Sequence, residues 1–381
     1  MPEKTCRLRH LHPLLVVLIV LSGLIPWWPT GSVRIAYAAG RQGVEFGAVI
    51  DDQCNRLLTS KVLDQVVATG AGWIKINFRL GGFSNWTEET RLCPDETGAL
   101  VTTTALNLYD KIVEDALAKK LQVYGLLSNE AWHGWLALWQ LDAWETTGGA
   151  KNGDNYYVND FAMYAAGPIT ARFAGRISLW EVWNEPNLTD TYMYPSNFVW
   201  LLTHVRAHTG TAQAAGARFV LGAIASNQDK GRVSVETSGA NYLKAVYQQG
   251  RARAGWSAGA YPFDHVGQHL YIDRKTTTKA SNLRTALMYV RNAYVAEEGA
   301  GTPKQTIISE VGWETDGDGV SETTQANNLK TLYTEVQNTS YVMNAYWFFL
   351  RDEPSSGLAF GLLRADNSQK PAWTAYRQYA Q

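Results

Sequence analysis

Leu179-Trp180-Glu181-Val182-Trp183-Asn184-Glu185-Pro186-Asn187 is a short β-rich run that ends at a proline. Pro186 removes a backbone donor, so the strand stops just after Glu185. A helical pattern follows at 197–208 and a second β-rich run at 219–224. A strand, a helix and another strand in this order make a crossover unit, which sets the two strands parallel. The same alternation runs outward in both directions. Strands are predicted at 44–50, 73–79, 122–127, 179–183, 219–224, 265–272, 306–310 and 342–349, and helices at about 61–69, 104–119, 157–173, 197–208, 241–249, 283–298, 323–337 and 372–379. Eight such units close into an α/β fold of the (β/α)8 TIM-barrel type, a single domain with its chemistry at the C-terminal strand ends. An open doubly wound sheet would want a Gly-rich phosphate turn after the first strand, and Asp51-Asp52-Gln53-Cys54 is no such turn.

Composition agrees with a large core. Of the 381 residues, 46% are hydrophobic and only 18% charged, too apolar for a disordered or coiled-coil chain. The net charge of −1 gives no footprint for nucleic acid or an anionic membrane, both of which need clustered Lys and Arg. Fifteen Trp and 19 Tyr are more than packing requires, and a surplus on loops suits a surface that stacks on sugar rings. The segment 130–160 holds Trp132, Trp135, Trp139, Trp144, Tyr156 and Tyr157, which read as part subsite wall and part local core.

Residues 1–38 read as a signal peptide. Lys4, Arg7 and Arg9 precede an apolar run at 14–25, and Ala36-Tyr37-Ala38 offers a small-x-small cleavage site before Ala39. The run is short for a membrane span, so the expected location is secreted or extracellular, with an uncleaved anchor as the alternative. If the leader is cleaved, no stable membrane association is expected. Cleavage removes four basic residues and one acidic, leaving residues 39–381 with a charge of −4. It also removes Cys6, so Cys54 and Cys93 form a lone pair in an oxidising setting and are expected to be bridged, unless they are two unrelated buried thiols.

Two strand ends carry isolated acids. Glu185 closes the fourth barrel strand, and Ile307-Ile308-Ser309-Glu310-Val311-Gly312-Trp313 brings Glu310 to the end of the seventh. Charged groups at the ends of apolar strands are costly unless paired or working, and two converging carboxylates are what glycosidic cleavage requires. Glu181, four residues before Glu185, should lie deeper on the same strand and needs a cation. Lys75 is the expected partner, with Glu45 on strand one placed to join.

Trp-Glu-Val-Trp-Asn-Glu-Pro-Asn at 180–187, followed by Ile-Ser-Glu at 308–310, resembles the clan of retaining (β/α)8 glycoside hydrolases, most closely its family 39 β-xylosidase and α-L-iduronidase-like and cellulase-like members. The resemblance covers nearly all of residues 39–381. It implies that Glu185 is the acid/base and Glu310 the nucleophile, acting on β-linked glycosides or polysaccharides. It further implies that Asn184 holds a sugar 2-hydroxyl, that Arg79 lies at the end of strand two near the nucleophile, and that His269-Leu270-Tyr271 is the sixth-strand His-x-Tyr. Trp347 matches the platform Trp of strand eight, and Trp313 beside Glu310 joins the expected sugar contacts. On this reading Arg79 and Tyr271 keep Glu310 ionised, while Glu185 stays protonated among Trp183 and other aromatics.

The implied partner is a carbohydrate substrate, with no cofactor and no metal. His265 and His269 are four apart, a ligand spacing on a helix but about 13 Å on a strand. Asp316-Gly317-Asp318-Gly319 reads as a solvated turn. Sequons at Asn85, Asn187 and Asn338 decide nothing. The competing functional class is a carbohydrate-binding barrel without turnover. Oligomeric state, sugar and linkage are not readable.

Overall fold

The structure is a computed structural model that describes residues 40–80, 90–95, 97–132, 153–188, 191–225 and 238–379. The leader, the Asn85 sequon and Trp135, Trp139 and Trp144 lie outside the described residues. Ten strands are described: β1 (Gln42–Glu45), β2 (Trp73–Asn77), β3 (Thr90–Pro94), β4 (Leu100–Thr104), β5 (Gln122–Leu127), β6 (Leu179–Asn184), β7 (Arg218–Ala225), β8 (His265–His269), β9 (Thr306–Val311) and β10 (Val342–Trp347). Eight of them form a closed barrel in the order β1-β10-β9-β8-β7-β6-β5-β2, every pairing parallel. The (β/α)8 expectation therefore holds, and each of the eight predicted runs overlaps a barrel strand, the first by only Val44 and Glu45.

The principal helices between them are α1 (Ser60–Ala68), α2 (Ala105–Ala118), α3 (Tyr156–Asp160), α4 (Gly167–Arg172), α5 (Pro195–His208), α6 (Gly210–Ala214), α7 (Gly239–Arg253), α8 (Ala280–Glu298), α9 (Glu322–Asn338) and α10 (Pro371–Tyr379). The helix expected at 157–173 is one continuous path with a π-helical turn, Phe161–Ala166, between α3 and α4. Thr59, Thr104 and Ser321 cap α1, α2 and α9 by accepting from Val62, Asn107 and Thr324 backbone N–H groups, which satisfies donors that the helix start leaves open.

Alternation decides what each strand presents. On β2, Ile74 and Ile76 join the apolar layer under the helices, whereas Lys75 and Asn77 have the opposite parity and face the lumen. On β6, Trp180 packs on Phe78 and Phe173 outside the barrel, and Glu181 is fully buried on the inner side. The lumen changes character along its length. Deep in the lumen Tyr346 stacks on Tyr124 at 4.8 Å and meets Trp73, the first residue of β2, edge-on, while charged groups gather toward the C-terminal strand ends.

An unexpected element is the antiparallel β3–β4 hairpin between β2 and α2. Cys93 on β3 is bonded to Cys54 in the loop after β1, with Cα atoms 5.5 Å apart. The bridge ties the hairpin to the barrel, and closing a loop of this length stabilises by about 4 kcal/mol in the chain-entropy picture.

Candidate active site

The site begins with an irregularity at the end of β6. Trp183 and Glu185 both have positive φ, 77° and 44°, conformations that L residues rarely adopt. The turn at Trp183 breaks the alternation of the strand. Its ring swings outward onto Tyr157 and Phe161, and its Nε1 donates to the Thr191 carbonyl. Asn184 and Glu185 are thereby left facing the lumen together. Trp183 thus does not line the cavity into which Glu185 faces, contrary to the sequence expectation. The backbone is held there from several sides. Thr191 Oγ1 and Leu188 N donate to the Glu185 carbonyl, and the Asn187 side chain makes two hydrogen bonds to the backbone of Ala225 at the end of β7. This use buries Asn187 completely, so its sequon does not describe an exposed side chain. Gly222 on β7 lies under the Val182 and Trp183 carbonyls, where an added Cβ would come within 2.1 Å of an oxygen.

Glu310 stands at the end of β9, across the same cavity of about 330 Å³. It receives hydrogen bonds from Lys75 Nζ on Oε1 (2.9 Å) and from the Tyr271 hydroxyl on Oε2 (2.9 Å). His269, fully buried at the end of β8, sits between the two acids, with Nδ1 2.8 Å from Glu185 Oε1 and Nε2 3.3 Å from Glu310 Oε1. One oxygen of each glutamate and a ring nitrogen of His269 all lie within 4.8 Å of one another. Asn184 lines the cavity, and its buried Oδ1 has no partner among the described residues.

The surroundings of the two acids differ. Burial alone would raise the Glu310 pKa, but the charges of His269 and Lys75 and the hydrogen bonds from Lys75 and Tyr271 outweigh it and hold the carboxyl below the ordinary range. Glu185 is more open, with 20% of its side chain exposed against 10% for Glu310. Burial acts to lower the His269 pKa, yet Glu310 and Glu185 raise it overall. Lys75 is desolvated as well, but Glu310 and Glu45 keep it firmly protonated. Glu45, at the end of β1, pairs with Lys75 at 3.3 Å. Its own burial and the nearby Glu310 charge drive its pKa well above the carboxylate range.

Several expectations need correction. Lys75 does not pair with Glu181: it turns to Glu310 and Glu45. Glu181 instead accepts from the Tyr124 hydroxyl and faces His269. Arg79 does not reach Glu310. It lies just past β2, about 40% exposed, on Glu130 at 2.8 Å, and Lys75 occupies the cationic position beside Glu310. Trp313 and Trp347 are fully buried, donate to the Ile272 and Phe360 carbonyls, and are not among the residues that line the cavity. Among the described residues the aromatic side chains lining the cavity are Tyr271, Phe348 and Phe360, and Phe348 lies one residue beyond the expected platform.

Among residues that sequence reasoning missed, Glu130 also lines the cavity, with Asn77 and Ser128 in its network. It follows β5 as Glu185 follows β6, so the same signal, an acid just past an apolar strand, was available. Arg274 lines the cavity too, and beyond it and Tyr271 a second recess of about 630 Å³ opens between the loops after β8 and β9, with Asp273, Glu314 and Asp318 in its walls. The trio of Glu185, His269 and Glu310 offers three ligand atoms, but each carries another duty. The Lys75 ammonium, 2.9 Å from Glu310, also places a fixed positive charge where a cation would bind.

No family model and no curated protein matches the chain. Solved structures do. A family 39 glycoside hydrolase from the gut symbiont Bacteroides cellulosilyticus WH2 aligns with a TM-score of 0.59 and 16% identity over 90% of this chain, which spans 64% of that protein's length. A GH5_18 variant from Streptomyces cattleya, in complex with Manβ1-4GlcNAc, aligns at 0.62 with 16% identity over 90% of this chain and 80% of that one. A GH128 endo-β-1,3-glucanase from Amycolatopsis mediterranei, in complex with laminaritriose, aligns at 0.51 with 16% identity over 90% and 100%. At such identities the likeness speaks for the fold, and the chain has the barrel on which these glycoside hydrolases are built.

Proposed function

We propose that this protein is a secreted, retaining glycoside hydrolase of β-linked sugars, with Glu310 as nucleophile and Glu185 as acid/base. The observation that carries the reading is the pair of strand-end carboxylates, with oxygens within 4.8 Å, held in unlike surroundings on either side of His269. Inversion wants its two carboxyls about 6.5–9.5 Å apart to leave room for water, whereas retention wants about 5–5.5 Å. The spacing here favours retention.

In the first step the ionised Glu310 uses a carboxylate electron pair to bond the anomeric carbon. The bond to the leaving oxygen breaks with its pair on that oxygen, which takes the proton of Glu185. In the second step Glu185 takes a proton from water, whose oxygen bonds the anomeric carbon and returns the carboxylate of Glu310. Lys75 and the Tyr271 hydroxyl keep Glu310 anionic for attack. Asn184, whose Oδ1 at the cavity wall has no partner among the described residues, is suited to hold a sugar hydroxyl. Phe348 supplies an apolar face for the ring, and the second recess gives room for a further sugar unit, in keeping with the oligosaccharides bound by the GH5_18 and GH128 proteins.

The test is product analysis on a panel of β-linked plant and microbial polysaccharides and aryl glycosides, with the first-formed sugar read by proton NMR. Release of the β-anomer supports the proposal. Release of the α-anomer would mean inversion, and glycan binding without turnover would return the protein to the class of binding barrels. Secretion is checked separately by sequencing the N-terminus of exported protein, which should begin at Ala39.

A further inference from the structure

Glu181 has no part in the steps above, yet it lies fully buried beneath them. Its Oε2 accepts from the Tyr124 hydroxyl. Among the described residues its Oε1 has no hydrogen-bond partner and points at His269 Nε2, 4.0 Å away, a nitrogen that also lacks a well-formed hydrogen bond there. Two unsatisfied polar atoms facing each other out of reach of water are costly, and a ring tilt of less than about 1 Å would join them. Nε2 currently leans toward Glu310 Oε1 at 3.3 Å, an oxygen already taken by Lys75 at 2.9 Å.

On the proposed mechanism Glu310 loses its charge when it becomes the glycosyl ester, and its oxygens become poor acceptors. A buried Nε2–H then needs another acceptor, and the anionic oxygen in reach is Glu181 Oε1. We propose that Glu181 is a positioning residue that acts through His269, keeping a proton on Nε2 through the whole cycle, including the interval in which Glu310 is esterified. The retained Nε2 proton leaves Nδ1–H directed at Glu185 in both steps. The bookkeeping closes: as Glu310 is esterified and Glu185 gives up its proton, negative charge passes from the Nε2 side of His269 to its Nδ1 side. The imidazolium is neutralised throughout and Glu181 is the fixed counter-charge. The other groups facing His269 are Glu185 just past β6, Glu310 on β9, Lys75 on β2 and Tyr271 just past its own strand. This inference rests on the glycosidase reading for its consequence, but not for its test.

The test is nitrogen-15 NMR of histidine-labelled protein, with the His269 signals identified by their loss in His269→Asn. Wild-type protein should keep both ring nitrogens protonated past neutral pH. Glu181→Gln, which still accepts from Tyr124, should move the loss of that proton down by about one pH unit or more, because an anion within about 4–6 Å is worth that much. The alkaline limb of kcat/KM on an aryl β-glycoside should move with it, which a purely structural role would not produce. If Glu181→Gln does not fold, Tyr124→Phe leaves the charge but removes its other donor, and should raise the His269 titration. An unmoved titration in the folded variant would overturn the proposal. Failure of wild-type protein to cleave any glycoside would instead overturn the glycosidase reading and leave the NMR result standing.

Discussion

His265 and His269 occupy the two ends of β8, four residues apart, and the protein treats them oppositely. His265, at the N-terminal end, is driven down to a pKa of about 4, chiefly by burial, with Arg218 and Lys304 adding to the effect and Asp264 opposing it. His269, at the C-terminal end, is at least as buried, yet its pKa is raised because Glu310 and Glu185 outweigh desolvation. Burial disfavours the charged ring at both positions and prevails at His265, whereas at His269 two facing carboxylates overturn it. The same contrast runs through the barrel, whose lumen is packed at depth with Trp73, Tyr124 and Tyr346 and whose C-terminal end gathers Glu45, Lys75, Glu185, His269 and Glu310. Such a division is expected of a barrel whose one end is for stability and the other for chemistry.

The comparison can be broken most severely at Glu310. Glu310→Gln keeps the shape but removes the attacking charge, so turnover of an aryl β-glycoside should fall by at least about a thousandfold. Glu185→Gln should cost about 10²- to 10⁴-fold on glycosides with poor leaving groups and less on nitrophenyl glycosides, which need no proton. Added azide should restore part of the activity of this variant on activated substrates, as an anion that needs no general base. Lys75→Met should shift the acid limb of kcat/KM upward by about one pH unit. The sign follows from Glu310, which must be ionised to attack and whose pKa Lys75 helps to depress. The same change strands Glu45 and Glu310 without their shared cation, so melting should be followed alongside.

The smallest effect belongs to the other end of β8. His265 has its folded pKa below the unfolded value of 6.5, so the unfolded chain binds the extra proton. Stability from this group is present above pH 6.5 and is lost as pH falls toward about 4. His265→Gln should narrow the difference between melting temperatures at pH 7 and pH 4.5 by roughly a few degrees, with activity at neutral pH unchanged.

Much of this architecture was legible before any coordinates. The eight strands announce themselves because each is a short apolar run followed by a helix-period segment, and Pro186 marks where the β6 strand must end. Strand-end acids could be read for the same reason. Partners across the lumen could not, since they depend on which strands face each other once the barrel closes. Parity put Lys75 inside correctly, but not beside Glu310 rather than Glu181. Trp347, the expected platform, does not line the cavity, whereas the next residue does. Trp347 still obeys the β10 pairing and stays buried, and the wall of the cavity starts at Phe348. The positive φ of Trp183 has no sequence signal, because such conformations are imposed by surroundings such as the Thr191 carbonyl that accepts from its ring. The β3–β4 hairpin did leave one: two β-prone runs flank the turn from Asp95 to Gly98, inside a stretch read only as a connection.

The central claim is that Glu310 bonds the sugar, and trapping tests it most directly. A 2-deoxy-2-fluoro glycoside with an activated leaving group slows the second step more than the first and lets a covalent intermediate accumulate. Intact mass should rise by one fluorosugar, and peptide fragmentation should place the adduct on Glu310 in wild-type protein and find none in Glu310→Gln. An adduct on Glu185 or Glu45, or steady turnover of the corresponding unmodified glycoside by Glu310→Gln, would contradict the account.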